Sequence, residues 1–301
     1  MNMLLTLWKV INPLCLRWIQ NESARQFLSL SLSEQKKLLV NLSQYRGKVS
    51  IEGKVYKKWS FYLDTIRQHF QLPCTVETRK DRAILLENLC RKDDKILLLG
   101  DDDLLSWELA QRDFTSVTAS DCDGELLHHI SQLCAPLANK PRLVPGDFAD
   151  QEFDPGVKPD VVCIDPPYNL RWTQIFLSKA LQSVRDKDDA CLLMMINPHC
   201  FGAEDWQAIL DRLQRNSFEL VEHRPQFNAY PLQGLSSLLL RWGLRMIGAG
   251  TSQGPLYFTS DLFVFKRRKF AQLVATSFHP AMESANTPAA GSEVEWKVAS
   301  V

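Results

Sequence analysis

Between residues 75 and 270, short apolar runs alternate with stretches of helical periodicity, and four successive runs end on a carboxylate. This alternation constrains the fold most, because strands separated by helical segments need crossover connections and build a mainly parallel sheet. The runs are KILLLG, SVTASD, RLVPGD, PDVVCID, ACLLMMI, FELVEHRPQF and LYFTSDLFVF. Helical patterns are expected over Glu77–Arg91, Leu104–Arg112, Gly124–Leu137, Thr173–Val184 and Glu204–Arg215. Continuous rather than alternating apolar runs suit strands covered on both faces. Five β-α alternations followed by two strands predict an α/β, Rossmann-like, seven-stranded sheet, mostly parallel, with an antiparallel edge. This domain is assigned to residues 73–270.

The flanks read differently. Residues 1–72 are mostly helical in pattern, with a capping-box pair Ser31 and Glu34 and a short hairpin around Gly53. Helices followed by a hairpin allow a winged-helix-like module, although an accessory or homodimer-forming domain is the stronger reading. Residues 271–301 are rich in Ala, Ser and Pro without apolar periodicity, which predicts a disordered tail. Lys+Arg and Asp+Glu both count 35, so no global basic field is present to hold nucleic acid. Eight cysteines occur without a CxxC pair, and no His/Cys cluster has metal-ligand spacing. Several lie inside apolar runs, so a reducing cytoplasm and no metal site are expected. The apolar N-terminus is interrupted by Lys9 and Arg17, and no stretch is long enough to span a bilayer.

In an open parallel sheet, ligands bind beyond the carboxyl ends of the strands. Here those ends carry Gly100-Asp101-Asp102-Asp103, Asp121 with Asp123, Gly146-Asp147-Phe148, and Asp165-Pro166-Pro167-Tyr168. Asp121 follows Gly100 by 21 positions, close to the spacing of about 20 at which an acid takes ribose hydroxyls. Its alternative is the N-cap of the next helix. Asp147 can accept from an adenine amino group while Phe148 packs on the ring. The GDDD loop lacks the glycines of a dinucleotide fingerprint, and its carboxylates repel phosphate. A sulfonium-bearing S-adenosyl compound fits better, and the decarboxylated form of S-adenosylmethionine fits best because it brings no carboxylate of its own. One or two of the three aspartates are expected to cap the following helix.

In DPPY, two prolines stiffen the backbone that holds Asp165 and Tyr168 towards a substrate. Asp165 can orient an attacking amine or take its proton. DPPY is also similar to the motif of amino-methyltransferases, in which Asp165 would hold an exocyclic amine and Tyr168 would stack on a flipped base. A third reading is a DNA-binding regulator whose Rossmann domain senses a nucleoside.

The ordered set GDDDL, VTASDCDGELL, GDF, DPPY, FNAYP and YFTSDL resembles the branched-chain polyamine synthases, the N4-bis(aminopropyl)spermidine synthases, over about Val76 to Phe265. The resemblance implies a class I methyltransferase/aminopropyltransferase-type domain behind a small N-terminal domain. It implies decarboxylated S-adenosylmethionine as co-substrate, with no permanently bound cofactor, and a polyamine such as spermidine as acceptor. Ordinary S-adenosylmethionine would serve the methyltransferase alternative. By the same resemblance Asp103 anchors the aminopropyl ammonium or the acceptor amine, Asp165 lies beside the reacting nitrogen, the extra acids Asp101 and Asp102 hold the polyamine, and Asn228 and Tyr230 line the far side. Pro166 and Tyr168 complete the expected substrate wall, and Gly100, Asp101, Asp121, Asp123, Asp147 and Phe148 the expected donor wall.

Overall fold

A computed structural model of the chain describes residues 73–232 and 256–268. The readings of 1–72 as a helical domain and of 271–301 as a tail lie outside those residues. The order is α1 (Val76–Leu89), β1 (Ile96–Leu99), α2 (Leu105–Gln111), β2 (Val117–Asp121), α3 (Gly124–Cys134), β3 (Arg142–Pro145), β4 (Val161–Ile164), α4 (Leu170–Ser183), β5 (Cys191–Ile196), α5 (Ala203–Arg215), β6 (Phe218–Leu232) and β7 (Leu256–Arg267). The seven strands and five helices expected over residues 75–270 are present among the described residues, with their ends displaced by a few residues.

The strands form one seven-stranded sheet in the order β3-β2-β1-β4-β5-β7-β6. Strands β1 to β5 are parallel. Strand β7 is antiparallel to both β5 and β6, so β6 points the same way as the first five. The sheet thus carries the expected antiparallel edge, with the reversed strand second from the rim. Burial explains the order. Leu262 and Val264 pack on one face, Phe263 and Phe265 on the other, and an interior strand can bury both sets. Strand β6 carries Glu219, Glu222 and Arg224 and contains Pro225, which has no N–H to donate and is tolerated at an edge.

The central strands alternate with period two between two cores. Leu97, Leu99, Val162, Ile164, Leu192 and Met194 pack with Phe176, Leu177 and Ala180 of α4 and with Trp206 and Ile209 of α5. Ile96, Leu98, Val161, Cys163, Leu193 and Met195 pack with Ala83 and Leu86 of α1 and with Leu105 and Leu109 of α2. Both faces are covered, which is why the strand sequences are apolar without interruption. Cys163 and Cys191 are buried in strands, as their settings suggested.

Register then sets the site. Leu99 pairs with Ser120 on one side and Ile164 on the other. The next residues, Gly100, Asp121 and Asp165, emerge at one level of the sheet edge. Strand order reverses between β1 and β4, and a crevice opens at such a reversal. Among the described residues, no helix is long and apolar enough to cross a membrane.

Candidate active site

The site is assembled by two elements far apart in sequence, α1 and β6. Thr75 caps α1 by accepting from the Thr78 amide at 3.2 Å. Its own N–H donates to the Ala229 carbonyl at 2.8 Å, and Thr78 Oγ1 accepts from the Ala229 amide at 3.1 Å. Thr75, Thr78 and Arg82 share one helix face at i, i+3 and i+7, so this pinning aims Arg82 at β6. Strand β6 is irregular between Arg224 and Asn228, where its register against β7 shifts. Gln226 has φ 51° there and donates its N–H to Asp261 Oδ1 at 2.8 Å. Beyond this bulge Asn228 and Tyr230 pair with Ser260 and Phe258 and are buried, consistent with the re-aiming of side chains that bulges produce.

Arg82, 2% exposed, is the centre of the arrangement. Its Nε donates to Asn228 Oδ1 at 2.8 Å, and its Nη1 donates to Asp103 Oδ2. Its Nη2 donates to Asp165 Oδ2 and to the Tyr230 hydroxyl, each at 2.9 Å. Tyr230 donates its O–H to the same Asp165 Oδ2 at 2.6 Å. Asn228 Nδ2 reaches Ser260 Oγ at 3.0 Å and the carbonyls of Ser260 and Asp261. The second Asp103 oxygen accepts from the Cys74 amide. Asp165 Oδ1 has no hydrogen-bond partner among the described residues. Burial opposes the Arg82 charge, but Asp103 and its neighbours outweigh it and hold the guanidinium well above its ordinary range. Arg82, Gly100, Asp101, Asp103 and Asp165 line one small hollow floored by Leu98, Cys163 and Met195.

The remaining expected residues divide. Gly100 has φ +78°, a conformation that favours glycine, and turns the chain from β1 into the acidic loop. Asp101 faces inwards as a helix cap: it accepts from Leu105 N–H at 2.8 Å and Ser106 N–H at 3.2 Å. It also lines the hollow, and burial pushes its carboxyl up to about 7. Asp123 likewise caps α3, accepting from Glu125 N–H at 3.0 Å and Leu126 N–H at 3.1 Å. Asp121 is buried between these loops and accepts from the amides of Asp101 at 3.3 Å and Asp123 at 2.9 Å. Asp147 is exposed and turns its own loop through the Ala149 amide at 2.8 Å. Phe148, expected against an adenine ring, is buried, with its ring edge-on to Phe176 at 4.9 Å and 5.8 Å from Phe153.

Pro166 is buried, and Tyr168 stacks on Phe258 with ring centroids 5.3 Å apart and meets Tyr230 edge-on at 6.5 Å. Burial pushes Asp165 up to about 6, while Arg82 pulls it back and Asp103 raises it. Burial, then Asp103 and Asp165, holds Asp102 well above the usual carboxylate range. The Tyr168 and Tyr230 phenols are raised well above theirs by burial and by Asp165. Asp102, Asp103, Asp165, Asn228, Tyr168 and Tyr230 thus converge, whereas Asp123 and Asp147 serve their own turns. The sequence reading missed Arg82; its signal is a basic residue in line with Thr75, Thr78 and Leu86 on the helix face that must be buried. Among the described residues, no group of three or more His, Cys, Asp or Glu side chains is arranged to hold a metal ion.

Residues 57–271 match the family described as the branched-chain polyamine synthase A C-terminal domain. A crystal structure of the Thermus thermophilus branched-chain polyamine synthase, in complex with N4-aminopropylspermidine and 5'-methylthioadenosine, superposes with a TM-score of 0.58 at 18% identity, covering 75% of this chain and 68% of that one. A mutein of the same enzyme with the same two ligands gives 0.59 at 16% identity, covering 85% and 86%. An uncharacterized protein of Methanocaldococcus jannaschii is 27% identical over 168 residues, which is 55% of this chain and 41% of that relative's length.

Proposed function

This chain belongs to the branched-chain polyamine synthase family through its C-terminal domain, and we propose that it moves an aminopropyl group from decarboxylated S-adenosylmethionine to a polyamine such as spermidine. The products are a branched polyamine and methylthioadenosine. The observation that carries this reading is a half-buried carboxylate at the strand-order reversal with one oxygen clamped and the other without a partner among the described residues. Asp165 Oδ2 takes Arg82 and Tyr230, and Oδ1 remains for a nitrogen.

The chemistry follows from that geometry. An amine lone pair attacks the methylene carbon bonded to the sulfonium, the C–S bond breaks, and its electron pair returns to sulfur. The nitrogen sheds a proton, which Asp165, pushed up to about 6 by burial, is suited to receive. The donor is already activated, so the protein mainly orients the two reactants and supplies negative charge for two cations. Asp103 and Asp165 supply that charge, with Asp103 also holding Arg82, and Asp102 lies beside them to contact the acceptor. Tyr168, Pro166 and Tyr230 form the wall against which the acceptor is placed, and Asp121 lies where a ribose would reach the sheet edge. Arg82 also favours the decarboxylated donor: its charge is matched by Asp103 and Asp165, which leaves it poorly placed to receive the carboxylate of ordinary S-adenosylmethionine.

Incubating the purified protein with each donor and a panel of linear polyamines, followed by mass spectrometry, should show aminopropyl additions with the decarboxylated donor alone. Methyl additions, or no additions with any amine, would overturn the reading. Asp165→Asn should lower turnover about 10²- to 10⁴-fold while calorimetric donor affinity stays within about threefold. Unchanged turnover in that variant would remove Asp165 from the mechanism.

A further inference from the structure

The acidic site contains a cation of its own, and the question is whether incoming amines displace it. Arg82 uses Nε, Nη1 and Nη2 on four different side chains, those of Asn228, Asp103, Asp165 and Tyr230. Its main anchor, Asn228, is fully buried and bonded in turn to Ser260 and Asp261 of β7. Swinging the guanidinium out would leave Asn228 Oδ1 and Asp103 Oδ2 buried without these donors, an outcome that buried polar groups avoid. Arg82 is therefore a fixture. The planar fork does what a point charge cannot: it fixes Oδ2 of Asp165 and the hydroxyl of Tyr230 through one nitrogen while gripping Asp103 with another.

We propose that Arg82 is the positioning residue of the transfer reaction, setting the orientation of Asp165 so that Oδ1 faces the acceptor nitrogen and keeping the Asp165 carboxylate ionised among its acidic neighbours. The reaction it serves is the one proposed above, on which this role rests. Among the described residues, the charged and titratable groups facing Asp165 are Arg82 from α1, Cys74 just before it, Asp102 and Asp103 from the loop after β1, Tyr168 from the loop after β4, and Tyr230 from β6. Of these, Arg82 is the cation. Burial, the first influence on Asp165, and Asp103 both favour its protonated form, and Arg82 opposes them.

Two variants separate charge from shape. Arg82→Gln removes the charge, so the acid limb of the single-turnover rate, at saturating donor and acceptor, should move to higher pH by about one unit or more. Titration of the substrate amines is common to both proteins and cancels in the comparison. Arg82→Lys keeps the charge and loses the fork, so its limb should stay within a few tenths of a unit of wild type while turnover falls about tenfold or more. The Asp165 carboxyl is also followed by carbon NMR in the ligand-free protein, its resonance identified by its loss in Asp165→Asn. An unmoved limb and an unmoved carboxyl titration in Arg82→Gln would overturn the proposal, as would wild-type turnover in Arg82→Lys. Should the glutamine variant not fold, the lysine variant alone decides. Should wild type transfer no aminopropyl group, the proposed function fails, and the carboxyl titration still judges whether Arg82 governs Asp165.

Discussion

Replacing Asp101 with asparagine should stabilise the protein at neutral pH without harming the site. Asp101 is 2% exposed, and its carboxylate accepts from the amides of Leu105 and Ser106 at the start of α2. Asparagine can accept the same bonds through its amide oxygen. The wild-type carboxyl is pushed by burial from an ordinary 3.8 to about 7. The folded protein therefore holds this proton up to about pH 7, while the unfolded chain releases it near pH 4. Across that window the unfolded state binds fewer protons, so stability falls as pH rises. The full difference is at most about 4 kcal/mol. Asparagine has no such proton. Urea unfolding at pH 4.5 should place the two proteins within about 1 kcal/mol, and by pH 8 the variant should lead by about 2–4 kcal/mol. Calorimetry should find donor affinity changed less than about threefold. A stability difference that does not vary with pH would refute the linkage, and loss of donor binding would mean that this carboxylate serves the ligand rather than the helix.

Two further substitutions test the scaffold. Asn228→Ala takes away the acceptor of Arg82 Nε and the bonds to Ser260, and should cost about 2–4 kcal/mol in urea unfolding; a loss under about 0.5 kcal/mol would deny Asn228 its anchoring role. Gly146→Ala would put a methyl group 1.9 Å from Cε2 of Phe153. The ring must move against Phe148, costing about 1–3 kcal/mol and lowering Tm by several degrees, and an unchanged Tm would show that the aromatic cluster yields freely.

The sheet was legible because its strands are buried on both faces, and runs such as ILLL and VVCI have few other uses. The acids at the strand ends were legible for the same reason, since knowing where a strand stops locates the residue after it. Other features depended on competition between elements. The placing of β7 inside β6 follows from which strand has two apolar faces, a comparison that local pattern leaves open. Phe148 follows a Gly-Asp turn, and its packing on Phe176 and Phe153 brings in a helix and a loop that spacing alone does not place beside it. Asp101 and Asp123 each stand before a helix whose free amides they satisfy, the competing reading for any strand-end aspartate. Arg82 was hidden because its meaning lies in partners 21, 83, 146 and 148 positions away, which no spacing rule within α1 could supply.

The pairing of Thr75 and Thr78 with Ala229 joins the first described helix to the next-to-last strand. A ribosome that has released only the segments through β5 has made every aspartate of the hollow but neither Asn228 nor Tyr230. In such a partial chain Arg82 and Asp165 lack the hydroxyl and amide that orient them, and the acids stand close together with little to restrain them. Long-range closures of this kind form late and slowly, so the five parallel strands can pair before the clamp on Asp165 exists. The clamp on Asp165 is thus completed only after β5 has been made, when β6 docks on the α1 it left far behind.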